Sequence, residues 1–211
     1  MPDQSCCLTN STPAKLFRPS QNLTDLRTTA VLERNYLSGM STTPHPAPRI
    51  ELLPATTAQA PVLANLLELY SHDFSEFIDL ELGEDGRYRY PRLPLYFTDP
   101  SRFPFLIRVD HHLAGFVLVT RGSQLTADPS TWDMAEFFIV RRYRKQGIGR
   151  EVAHEIWRRF PGPWEIRVIP ENQPAHAFWQ RAIATFTGVK VPSSRVEQHG
   201  EPRDLFRFQA P

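Results

Sequence analysis

Residues 141–157 read RRYRKQGIGREVAHEIW, and they set Arg144, Lys145 and Arg150 around Gly147 and Gly149 just before a helical pattern. At a helix start the first backbone N–H groups lack intrahelical partners, and the helix dipole adds partial positive charge. Glycines let the chain turn tightly and let a ligand come close to the backbone. Together these features suit a phosphate or pyrophosphate. The spacing is neither a Walker A loop, which ends in Gly-Lys-Ser/Thr, nor the Gly-x-Gly-x-x-Gly of a dinucleotide fold. The alternative is an ordinary basic turn with a glycine cap. A second concentration of charge is ELYSHDFSEFIDLELGEDG, residues 68–86, with seven carboxylates and no Lys or Arg. Asp73, Glu76 and Asp79 recur every three residues, which predicts one shared helix face. The alternative here is a solvated acidic surface.

These stretches need a scaffold. RIELLPAT from Arg49 predicts a strand and a turn. A helix follows from Pro61 to about Phe77, with Val62, Leu66, Leu69 and Tyr70 at helical spacing. Residues 83–104, with Gly83, Gly86 and several prolines, read as loop. FPFLIRVD and LAGFVLVTRG predict a hairpin turning at His111-His112, and MAEFFIV predicts another strand. The helix after the glycine loop should run to about Phe160, with Ile148, Val152, Ile156 and Trp157 on one face and Pro161-Gly162-Pro163 ending it. WEIRVI is a strand, Pro174 to Ala184 a helix, and the segments around 195–197 and 205–208 are strands about a His199-Gly200 turn. The order β–α–(α)–β–β–β–α–β–α–β–β implies a central sheet with helices on its faces.

Composition bounds the rest. The chain has 211 residues, 41% apolar, which allows one ordinary domain plus a tail. A net charge of +1 argues against a protein that wraps nucleic acid. The two cysteines, Cys6 and Cys7, are neighbours outside the expected domain, so no disulfide framework is expected. No apolar run has the length of a membrane span and no signal peptide is evident, so a cytoplasmic protein is expected. Residues 1–48 are rich in Ser, Thr, Asn and Pro and end in a proline run, which predicts a largely disordered tail; Met40 offers an alternative start. The domain is expected over 49–211.

Arg144-x-x-Gly147-x-Gly149 after an apolar strand, followed by Asn172-Gln-Pro-Ala-His-Ala-Phe-Trp179, resembles the two signatures of the GCN5-related N-acetyltransferase (GNAT) superfamily. The resemblance covers 49–211 and is strongest over 136–183. With Glu-Phe-Phe before the loop and Phe-Trp in the second helix, the chain looks most like small bacterial acetyltransferases. The resemblance implies an α/β (α+β) fold: a central mixed, mostly antiparallel twisted sheet of about six to seven strands, flanked by helices and splayed at a central parallel pair. It implies acetyl-CoA as cosubstrate and no metal. The pyrophosphate would meet backbone N–H groups of Gln146, Gly147, Ile148, Gly149 and Arg150, with Arg144 and Lys145 nearby. The pantetheine arm would pair with Ile139, Val140 and Arg141, and Asn172 would lie near the coenzyme.

The reaction so implied moves an acetyl group from a thioester to an amine by direct attack in a ternary complex. An alkylammonium titrates near ~10.4, so a base is needed. Glu136, on the strand entering the loop, is the candidate; its alternative is a structural strand carboxylate satisfied by a hydroxyl or arginine. A backbone N–H at Ile139 or Val140 would hold the developing oxyanion. Trp179 stands where most relatives place the tyrosine that protonates the thiolate. An indole cannot act as that acid, so Trp179 is expected to wall the pocket. On the acceptor side His72, Asp73 and Glu76 would favour a small cationic amine. The expected partners are acetyl-CoA and that amine, with no nucleic acid and no membrane, and a homodimer is left open. The competing reading is a catalytically weak or inactive acyl-CoA-binding regulatory domain.

Overall fold

The computed structural model describes residues 47–211. Nearly all of the expected disordered tail therefore lies outside the described residues, as do Cys6, Cys7 and Met40. Seven strands form one sheet: β1 (Ile50–Pro54), β2 (Arg102–Val109), β3 (His112–Arg121), β4 (Trp132–Ile139), β5 (Gly162–Val168), β6 (Ser194–Gln198) and β7 (Glu201–Ala210). Their spatial order is β1-β2-β3-β4-β5-β7-β6. Every neighbouring pair is antiparallel except β4 and β5. This is the expected mixed, mostly antiparallel sheet. Helices α1 (Ala60–Phe74), α2 (Ile148–Arg159) and α3 (Gln173–Thr187) cover it.

The two faces have separate cores. One joins α2 and α3 to the sheet through Ile148, Val152, Ile156, Trp157, Trp179 and Ile183. The other joins α1 through Leu63, Leu66 and Leu67. The apolar stripe expected on α1 is therefore rotated. Leu66 is buried, but Val62 and Leu69 remain 37% and 53% exposed. The helix is apolar on more than one side, and contact with the sheet, not periodicity, chose the buried face.

Turn chemistry fixes the hairpins. β2 and β3 are joined by Asp110 and His111, both at positive φ, one residue earlier than expected. His199 and Gly200 do the same between β6 and β7, at the expected turn. Two left-handed residues match the twist of paired strands. Helix ends also follow local signals. The Asn172 side chain accepts from Ala175 N–H at 3.0 Å and caps α3, whose other end turns at Gly188 with φ +77°. That glycine lies beyond the expected end at Ala184.

The strand β4 positions the site. Its register against β3 slips between Leu118 and Val119, so that Ala135 is an extra residue in a β-bulge. The side-chain alternation changes phase there. Trp132 and Met134 join the core under α2 and α3, and so do Phe137 and Ile139; Ala135 and Phe138 pack toward α1. Beside β5 the parallel pairing spans only Trp132–Trp164 and Asp133–Glu165. Beyond the bulge the two strands run apart.

Candidate active site

The opening between β4 and β5 is part of a cleft of about 1270 Å³ whose lining comes from both faces of the sheet. On one side lie the end of α1 and the 90–102 segment. On the other lie the glycine loop and α3, while the β6–β7 turn reaches the first side, where Gln198 meets Arg167. Val140 N–H donates to Ala114 O at 2.9 Å, across β3. Antiparallel alternation then turns the N–H and C=O groups of Phe137 and Ile139 away from β3, toward the opening. This corrects one expectation: the N–H of Val140 is engaged within the sheet, and Ile139 N–H is the free donor of the two. Ile139 C=O accepts from Arg144 Nε at 2.6 Å.

After β4, a short 3-10 turn at Arg141–Tyr143 leads to Lys145 at φ +62° and Gly147 at φ +82°. These left-handed residues aim the chain into α2, whose first internal bond runs from Glu151 N–H to Gly147 O at 3.2 Å. The N–H groups of Ile148, Gly149 and Arg150 therefore have no partner within the helix. Ile148 itself is buried and, unlike Gly147, Gly149 and Arg150, does not line the cleft. Gly149 serves packing as well as approach. A Cβ there would meet the Phe178 ring at 3.3 Å. Gln146 is exposed, does not line the cleft, and donates its amide to Arg142 O at 2.7 Å.

Asp73, from the end of α1, reaches across to this loop. Its carboxylate accepts from Arg141 at 2.6 Å and also pairs with Arg144. Burial pushes the Asp73 carboxyl up, but the two guanidinium groups outweigh it and hold the group below its usual range. Three of the acidic segment's seven carboxylates are thus engaged within the protein, while Glu76, Asp79, Glu81 and Glu84 are exposed. Glu68 accepts from the backbone of Tyr88 at 2.8 Å, and Asp85 pairs with Arg89 at 2.6 Å. The shared helix face expected for Asp73, Glu76 and Asp79 does not form, because α1 ends at Phe74. Asp73 and Glu76 line the cleft, while His72 is exposed and does not.

Glu136 lies in the cleft wall, held by two phenols. Tyr70 Oη donates to Oε2 at 2.6 Å and Tyr90 Oη to Oε1 at 2.9 Å. Burial raises the Glu136 carboxyl above its ordinary range, and the two phenol donors work against that rise. Burial and the neighbouring carboxylate keep both phenols protonated far beyond neutral pH. Nearby, the fully buried Asp133 is paired with Arg167 at 2.6 Å, and Arg167 also donates to Gln198 at 2.8 Å. Trp179 is only 6% exposed. Its ring meets Phe137 edge-on at 5.1 Å and Phe178 at 4.8 Å.

Sequence reasoning passes over Tyr70, Tyr90, Asp133 and Arg167. Periodicity counts Tyr70 as one more apolar position of α1. Tyr90 sits in a loop-like stretch with three tyrosines, 88, 90 and 96, and that density is the available signal.

A family sequence model for acetyltransferases of the GNAT family matches residues 63–183, more than half of the chain. The chain belongs to the acetyltransferase (GNAT) family. Solved GNAT structures share its fold. An acetyltransferase from Thermus thermophilus is 19% identical with a TM-score of 0.57, over 76% of this chain and 96% of that one. The aminoglycoside acetyltransferase AAC(6')-Ib, solved with coenzyme A, is 12% identical with a TM-score of 0.57, over 76% and 95%. Arabidopsis thaliana NAA60, solved with a bisubstrate analogue, is 16% identical with a TM-score of 0.50, over 76% and 98%. No curated protein matches the sequence. The narrower resemblance to small bacterial acetyltransferases is not carried, since these distant likenesses include a plant enzyme.

The donor set suits an acyl-CoA. Unpartnered N–H groups at the start of α2, basic side chains around them, and the free edge of β4 at Phe137 and Ile139 match a diphosphate joined to an amide-bearing arm. Among the described residues no cluster of His, Cys, Asp or Glu could hold a metal ion.

Proposed function

We propose that this GNAT-family chain is an acetyl-CoA-dependent N-acetyltransferase that acetylates a primary amine by direct attack in a ternary complex. One observation carries the reading: β4 and β5 pair at only two positions, which leaves the backbone of Phe137 and the N–H of Ile139 without a strand partner beside the glycine loop. Acetyl-CoA supplies the acetyl thioester. The N–H groups of Gly147 to Arg150, with Lys145, Arg144 and Arg141, bind its phosphates. Asn172, occupied as a helix cap, borders the coenzyme through its remaining amide hydrogens. Ile139 N–H is aimed at the thioester oxygen, where negative charge builds during transfer.

Glu136 is the base in this reading. Its raised proton affinity brings it nearer the working pH than an exposed carboxylate, and the tyrosines hold it in the charged form that accepts a proton. Trp179 walls the pocket and donates no proton. We place the protein in the cytoplasm. Release of free CoA thiol with a panel of primary amines, with the acetylated product identified by mass, tests the reading. Tight acetyl-CoA binding without acetyl transfer to any amine would favour the second reading, a CoA-binding regulatory domain, which Trp179 in the tyrosine position motivates.

A further inference from the structure

The acceptor side of the cleft carries more apolar surface than the cores use. Phe74, Phe77 and Ile78 line the cleft, are half-buried, and belong to neither core. The Phe74 ring stacks on Tyr70 at 5.0 Å and meets Phe77 edge-on at 6.4 Å. Tyr70 in turn donates to Glu136. An aromatic wall thus leads from the end of α1 to the carboxylate. Half-exposed rings inside a concave site gain their full burial only when an apolar group enters.

The charges narrow the choice further. Asp73 is taken by Arg141 and Arg144, and Asp133 by Arg167. Glu136 has only neutral phenols and no ion pair among the described residues. Glu76 and Glu201 are exposed to solvent. Arg92, Arg102 and Arg167 line the same cleft. One ammonium has a place at Glu136; a second would find no buried unpaired carboxylate among the described residues, since Asp133 and Asp99 are held by Arg167 and Arg102 of the same cleft and Glu76 and Glu201 lie in solvent.

We infer that the acceptor is a primary amine with a single positive charge and an apolar, ring-sized body, its nitrogen at Glu136 and its body against Phe74, Phe77 and Ile78. This rests on the N-acetyltransferase reading above. The ammonium first gives one proton to Glu136; the amine nitrogen then bonds to the acetyl carbon as the carbon–sulfur bond breaks, and the second proton lost by the nitrogen reaches the thiolate through water.

The test compares 2-phenylethylamine, ethylamine and spermidine as acceptors for the full chain with acetyl-CoA. The expected kcat/KM for 2-phenylethylamine exceeds both others at least tenfold. In Phe77→Ala the ratio of 2-phenylethylamine to ethylamine falls about tenfold, and Phe77→Leu, which keeps apolar volume, restores most of it. Preference for spermidine, or an unchanged ratio in folded Phe77→Ala, overturns the inference. If no amine releases thiol, the catalytic reading fails separately, and calorimetry on the CoA-loaded protein decides this one. Tighter binding of 2-phenylethylamine than of spermidine supports it. The reverse order, or no binding, sinks it.

Discussion

Tyr70 Oη and Glu136 Oε2 stand 2.6 Å apart, although 66 residues separate them in the chain. The phenol comes from α1, the carboxylate from the strand just past a bulge. With Tyr90 on the other oxygen, the pair offsets part of the rise in proton affinity that burial imposes on Glu136. If Glu136 is the base, activity falls as pH drops through its raised pKa, because the protonated acid cannot accept the amine's proton. Removing a phenol donor raises that pKa further. The acid limb of kcat/KM in Tyr90→Phe should therefore move to higher pH, by about one unit if a charged-group hydrogen bond of ~1.5 kcal/mol is lost. The groups facing Glu136 are Tyr70, Tyr90, Tyr96, Arg167 and Asp133, and of these only Tyr90 changes. An unmoved acid limb would take the titration away from Glu136.

Gly147 and Gly149 should fail differently. Gly147 sits at φ +82° with only the Arg150 side chain, 3.9 Å away, near its missing Cβ, so Gly147→Val meets backbone strain of roughly 1–2 kcal/mol that the exposed loop relieves by shifting. Acetyl-CoA affinity should drop tenfold or more with little change in Tm. Gly149→Ala presses on the Phe178 ring and should lower Tm as well. Calorimetry and thermal melts on both variants separate the two effects, and full acetyl-CoA affinity in Gly147→Val would displace the loop from the coenzyme site.

Asp73 pairs with Arg141 and Arg144 of the basic loop, which the proposed reading gives to the coenzyme. Asp73→Asn removes a negative charge beside Arg141 and Arg144. At low salt acetyl-CoA should bind about two- to fivefold tighter, the scale of a partly exposed ion pair, and the gain should fade near 0.5 M salt. Glu76→Gln should leave acetyl-CoA affinity alone. A rise confined to the acceptor's KM in Asp73→Asn would return Asp73 to the acceptor side.

Trp179→Phe tests the wall. The ring is buried between Phe137, Phe178 and Trp157, so its partial truncation should cost about 2–3 kcal/mol of stability. Turnover of the folded variant should stay within a few fold of the parent. A hundredfold fall with coenzyme binding intact would give the indole N–H a chemical role.

What the sequence disclosed was local. Glycines in a basic stretch between strand and helix mark a loop because few other residues allow φ near +80°, and the hairpin turn at His199-Gly200 and the Asn172 cap carry their own chemistry. The acidic stretch misled because seven carboxylates say nothing of which arginines will meet them. Asp73 met two from a loop some 70 residues on, and α1 stopped before Glu76. Glu136 was legible as a residue but not as a trio with Tyr70 and Tyr90. Strict alternation from Trp132 would have put it under α2 and α3, and only the extra residue Ala135 turns it toward the tyrosines.

The gap between β4 and β5 gives the sheet an edge in its middle. Exposed edges invite pairing with stray chains, but this one is recessed in a cleft that favours a narrow guest. A guest that completes the sheet also stabilises it, by about 2.7 kcal/mol when its concentration is a hundred times its Kd. The lifetime of this chain in a cell, set by how often it opens to proteases, would then follow the supply of coenzyme.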